Sequence, residues 1–152
     1  MMKNLKSIMS VLLALWIVGV MPISARPRAK RIVMIALDGI SVPGFTTAHT
    51  PNLDNLLAQG ALSLTTRVVM PSVTLPNWTS HLTGSGPEQH GVVDNGWQID
   101  KKGFPAVEID KEGYYPSVFK VMKEEIPECK TAFYYNWINL FYPYNKKYLD
   151  EV

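Results

Sequence analysis

Two hydrophobic periods alternate along this chain, and the switches between them outline its elements. Residues 32–39, IVMIALDG, are almost continuously apolar and rich in β-branched side chains until Asp38-Gly39. That pattern predicts a strand buried on both faces, as in parallel sheets. Over 49–60, Leu53, Leu56 and Leu57 share a helical face, with Thr50 as N-cap, Pro51 at the first position and Gly60 as the stop. Residues 61–70 predict a second strand, 76–82 a second helix, and the Gly/Pro-rich stretch 84–96 a loop. The pattern weakens over 97–115, where a small hairpin turning at Lys101-Lys102-Gly103 is expected. Residues 116–127 predict a helix capped by Ser117 with Val118, Met122 and Ile126 on one face, and 130–137 alternate as a third strand. Such alternation of strands and helices predicts an α/β layered fold on a mostly parallel sheet.

The N-terminus follows a different logic. Lys3 and Lys6 precede an apolar run from Ile8 to Met21, and Pro22-Ile-Ser-Ala25 supplies a small residue for cleavage. These are the three parts of an export signal, giving residues 1–25 as the signal, 26–31 as a linker and 32–152 as the domain. The run is shorter than the ~20 residues of a spanning helix. An uncleaved N-terminal anchor is the alternative. Export implies a periplasmic or secreted protein with no membrane span after cleavage.

Composition narrows the function classes. Hydrophobic content of 47% and charged content of 18% are those of a globular chain. The net charge of +2 vanishes with the signal, because 15 basic residues less the two signal lysines match the 13 acidic ones. A balanced mature chain gives no support to nucleic-acid binding or to a basic membrane surface. Cys129, the single cysteine, excludes an internal disulfide and reads as a small hydrophobe rather than a nucleophile.

Three residues are placed where α/β proteins do chemistry, and each has a plainer reading. Asp38 closes the first strand, at the carboxyl end of the sheet where ligands and metals gather, but Asp-Gly is also a common turn. Thr74, in Pro71–Trp78 (PSVTLPNW), stands between a strand and a helix. It reads as an N-cap, or as a hydroxyl held beside the free N–H groups that suit a phosphate. Such an alcohol would still need deprotonation to attack phosphorus. Asn95 lies in Asp94-Asn95-Gly96, a turn signature, yet its amide could steady charge on a transferring phosphoryl group. His49, His81 and His90 show no metal-ligand spacing and are not expected to bind a metal.

The order of these residues carries more than any one of them. Leu37-Asp38-Gly39, then Thr74-Leu75-Pro76-Asn77, then Thr83-Gly84-Ser85-Gly86-Pro87-Glu88-Gln89-His90-Gly91 and Asn95, resemble the start of the alkaline phosphatase superfamily. The nearest branch is the type I phosphodiesterase/nucleotide pyrophosphatase family, and Thr50–Gly60 is similar to its first helix. The slot at Thr74 lacks the arginine of the sulfatase motif, which disfavours that branch.

The resemblance implies a three-layer αβα alkaline-phosphatase-like fold and an exported phosphoric ester hydrolase. Thr74 would be the nucleophile, Asn95 would contact the phosphoryl group, and Asp38 and Thr74 would touch a site of two zinc ions. Two zincs need roughly six ligand residues, and residues 91–152 contain no histidine. The chain is therefore expected to be a truncated, N-terminal portion, inactive alone, with at most partial metal binding. The competing expectation is a catalytically inactive fragment or binding module that keeps the fold's first elements. A small phosphate ester or diester is the expected substrate. Its identity and the oligomeric state stay open; Trp78 and Trp97 could stack on a substrate ring, though aromatic residues more often belong to the core.

Overall fold

Five α-helices and two 3₁₀ turns form among the residues that the computed structural model describes, 30–101 and 103–152. The signal expected at 1–25, most of the linker and Lys102 of the expected hairpin turn lie outside them. The helices are α1 (Val42–Thr47), α2 (Pro51–Leu57), α3 (Thr74–Thr83), α4 (Pro87–His90) and α5 (Val118–Glu125); the 3₁₀ turns are Ile138–Phe141 and Lys146–Tyr148. Contacts divide the chain into two units, residues 1–37 and 38–152.

In the second unit the core is built around α3. Leu75, Pro76, Thr79 and Leu82 are its buried positions, a stripe at helical spacing. Leu75 packs with Val92 and Trp97, supported by Ile99, Trp137, Leu140 and Tyr142. Leu82 packs with Phe119 and Tyr144, supported by Phe133, Tyr148 and Leu149. α3 therefore joins both clusters, one at each end. Tyr144, fully buried, donates its hydroxyl to the Trp78 carbonyl at 3.2 Å.

α5 starts after Ser117 as the sequence predicts, but its inward face is different. Phe119 is buried and Val118 is exposed, because the Phe119 ring meets Phe133 and Tyr144 at centroid distances of 5.6 and 5.9 Å. An aromatic ring buries more surface than valine and takes the core position. Ser117 occupies the N-cap without a side-chain capping bond. α2 begins at Pro51 as expected yet has no buried residue, and Leu56 is exposed.

None of the strands expected at 32–39, 61–70 and 130–137 forms among the described residues. One isolated parallel bridge, Ala132 to Glu151, stands in their place. The reason is physical: an extended segment points its N–H and C=O groups sideways and needs a neighbour to bond them. Residues 131–137 keep the side-chain alternation of a strand, with Thr131 buried, Phe133, Tyr135 and Trp137 half-buried, and Ala132, Tyr134 and Asn136 exposed. Periodicity is present there without a ladder. Ile32, Val33, Ile35 and Leu37 are all at least 65% exposed.

The hairpin expected over 97–115 is likewise without a ladder among the described residues. A turn closes at Gln98–Lys101, and a second at Asp110–Tyr114, where the Asp110 carboxylate accepts from the Glu112 and Tyr114 N–H groups.

Candidate active site

α3 opens at Thr74, with Val73 rather than Thr74 in the N-cap position. The expected cap is thus displaced by one residue. Val73 has extended backbone, and Thr74 is the first residue with helical geometry. A threonine at this position does not fold its hydroxyl back onto the turn, so the Thr74 oxygen is not used as a cap. Its side chain is half-buried.

The cap comes from a distant loop. Asn95 Oδ1 accepts the Leu75 N–H at 2.8 Å, twenty residues away in sequence. Only the oxygen of an amide can meet an N–H, so the Asn95 orientation is fixed and its Nδ2 remains a donor. Asp94 makes the expected turn, its Oδ1 accepting from Gly96 N–H at 2.7 Å, and Asn139 Nδ2 donates to the Asn95 carbonyl at 2.7 Å. The turn reading and the functional reading of Asn95 are compatible: the turn aims the amide at α3.

Most donors of the first turn of α3 are already satisfied. Leu75 bonds Asn95, Pro76 has no N–H, and Asn77 N–H reaches the Val73 carbonyl at 3.4 Å. The Thr74 N–H and Asn95 Nδ2 make no hydrogen bond among the described residues. The Thr74 N–H and the Asn95 amide thus offer two donors without a partner among the described residues, at the positive end of a ten-residue helix, which suits the oxygens of a phosphoryl group.

The loop between α3 and Asn95 is held by local geometry that the motif encodes. Gly84 ends α3 with φ of 67°, and Gly91 ends α4 with φ of 74°. A Cβ on Gly91 would sit 2.7 Å from the Phe104 carbonyl oxygen, so no other residue fits there. His90 is buried and cross-braces the loop. Its Nδ1 accepts the Val92 N–H at 3.0 Å, which places the proton on Nε2, 3.0 Å from Ser80 Oγ on α3. Burial pushes the imidazole down to about 4, against the opposing pull of Glu88. His90 is a neutral structural brace, while His49 and His81 are exposed.

Among the described residues no hydrogen bond ties Asp38 to this site. It is exposed, and its Oδ1 accepts the N–H of Gly39, whose φ is 74°. That is the Asp-Gly turn. Among the described residues no group of three His, Cys, Asp or Glu side chains is disposed to hold a metal ion. They do not form the shell that a two-zinc site requires.

Two participants were not legible from the sequence. Asn139 anchors Asn95 across 44 positions, and nothing local signals it. Asn77 stands in the Thr74 motif, and its side chain ties residues 69–73 to α3. An asparagine inside a helix, where alanine would form it better, is the signal that could have marked it.

Comparison with known proteins accords with the motifs. Residues 32–147 match the model of the type I phosphodiesterase/nucleotide pyrophosphatase family. The chain is 33% identical over 66 residues to ectonucleotide pyrophosphatase/phosphodiesterase family member 3 of Mus musculus, covering 42% of this chain and 8% of the relative. It is 30% identical over 83 residues to the bis(5'-adenosyl)-triphosphatase enpp4 of Mus musculus, covering 53% and 18%. With the venom phosphodiesterase of Macrovipera lebetinus it shares 23% identity over 148 residues, covering 72% and 17%. The chain thus spans less than a fifth of the length of these relatives. No solved structure shows significant similarity to it. The match takes in over half of the chain, together with Asp38, Thr74 and Asn95: this chain belongs to the type I phosphodiesterase/nucleotide pyrophosphatase family.

Proposed function

We propose that this chain carries the nucleophile side of an exported phosphodiester hydrolase, with Thr74 as the attacking residue. The observation that supports it best is the anchored Asn95 beside a Thr74 freed from capping: the side-chain oxygen of Asn95 meets Leu75 N–H, leaving its NH₂ and the Thr74 N–H to a ligand. In the reaction, Thr74 Oγ1 forms a bond to phosphorus as the leaving oxygen departs with its electron pair. The hydroxyl proton leaves to base or solvent. Water then cleaves the phosphothreonine ester and restores the alcohol. Donors placed where charge develops on the phosphoryl oxygens favour the transition state over the bound ester.

Asp38 is the one carboxylate this chain would offer to a metal, through the oxygen that its turn leaves free. Thr74 would touch a metal through its hydroxyl, and the remaining zinc ligands would come from outside the described residues. On this reading the complete domain holds a mostly parallel sheet, with residues 32–39 as one of its strands. The lysine-flanked apolar N-terminus supports export, and no described helix is long and apolar enough to cross a membrane. The substrate class is a small phosphate diester or ester.

The test is a transplant. The mouse family member 3 phosphodiesterase, carrying residues 67–96 of this chain in place of its matching segment, should hydrolyse a p-nitrophenyl phosphodiester with zinc. Thr74→Ala in that hybrid should cut kcat roughly 10³-fold or more. Undiminished turnover by the alanine variant would overturn the assignment. The chain alone, given zinc, should show no turnover.

A further inference from the structure

Neither reading of Thr74 requires Asn77, yet Asn77 has both ends of its amide engaged. Its Oδ1 accepts the Val69 N–H at 2.9 Å, and its Nδ2 donates to the Val73 carbonyl at 2.8 Å and the Pro71 carbonyl at 3.3 Å. All three bonds fall on the five residues that lead into Thr74. The Val73 carbonyl matters most. A peptide unit is planar, so the Val73 C=O and the Thr74 N–H share one rigid plane and point in opposite directions. Fixing the carbonyl fixes the direction of the free N–H beside the Thr74 hydroxyl.

The following peptide plane, which ends in the Leu75 N–H, is held in the same way by Asn95 Oδ1 at 2.8 Å. Thr74 lies between two planes, each gripped by an asparagine side chain. With both planes fixed, its φ and ψ are fixed, and the staggered positions open to its hydroxyl are restricted with them.

We propose that Asn77 is a positioning residue for Thr74: it sets the peptide plane before the nucleophile as Asn95 sets the plane after it. The functional meaning rests on the proposed role of Thr74, whereas the geometry stands without it. A merely helical role predicts the opposite outcome on substitution, because alanine is the better helix former.

The test is NMR on the full chain, comparing Asn77→Asp and Asn77→Ala with Thr83→Ala. The last variant removes a hydroxyl bond to the Thr79 carbonyl at the far end of the same helix. Aspartate keeps an acceptor for Val69 but cannot donate to Val73 or Pro71. It should move the Thr74 amide shift and its Hα–Hβ coupling and speed Leu75 amide exchange roughly tenfold, while Val69 stays protected. Alanine should lose protection at Val69 as well, and it carries the comparison if the aspartate variant does not fold. Thr83→Ala should leave Thr74 unmoved whatever it does to the melting temperature. An unchanged Thr74 coupling in the folded Asn77 variants, or an equal change in Thr83→Ala, would overturn the proposal. If Thr74→Ala leaves hydrolysis intact while these shifts appear, the nucleophile assignment fails and the positioning role stands.

Discussion

At the first position of α3, a threonine hydroxyl is released from the task it would have one residue earlier. An N-cap side chain turns back to accept an N–H; Thr74 has that work done for it by Asn95. The sequence shows a threonine before Leu-Pro and cannot separate the two positions, since the boundary turns on a single ψ angle at Val73. His90 makes the same point about titration. Its folded pKa, about 4, lies below its ordinary 6.5, so the unfolded chain binds the extra proton between those values. Its stabilising contribution is therefore complete above pH 6.5 and is lost as pH falls toward 4. Protonation would turn Nδ1 into a donor facing the Val92 N–H. Urea unfolding should show a stability loss on the order of 2 kcal/mol between pH 7 and pH 5. His90→Gln should flatten that slope, and an equal slope in the variant would place the titration elsewhere.

α3 was the most legible element, because Leu75, Thr79 and Leu82 repeat at helical spacing and Gly84 marks the end. What caps it was not legible, because the partner is twenty residues distant. Substitution at Asn95 separates capping from chemistry. Asn95→Ala removes the acceptor and should cost about 1 kcal/mol of stability in urea unfolding. Asn95→Asp keeps an acceptor at a helix N-terminus and should restore that stability. In the hybrid phosphodiesterase it should still lower kcat, because a carboxylate has no donor to offer a phosphoryl oxygen. Turnover by the Asn95→Asp hybrid equal to that of the hybrid with Asn95 intact would remove the donor from the account. The strands fared differently. Residues 131–137 express their period-2 pattern as alternating burial, yet hydrogen-bonded strands need neighbours that a local pattern does not contain.

Across the whole molecule, the described residues split between a packed region around α3 and apolar segments without cover. Ile32, Val33, Ile35 and Leu37 are exposed, although their composition is that of a buried strand. The family match begins at this same segment, at residue 32. The Thr74 backbone, its cap and the loop that carries Asn95 are thus set by contacts within residues 69–139, whereas among the described residues Asp38 bonds only within its own turn. The proposed step at the centre of the site is attack by Thr74 on phosphorus. It is tested most directly by acid-quenching the hybrid enzyme during turnover of a phosphodiester labelled on phosphorus and mapping the label. The account predicts label on Thr74, lost in Thr74→Ala. Steady turnover with label absent from Thr74, or carried by another residue, would contradict it.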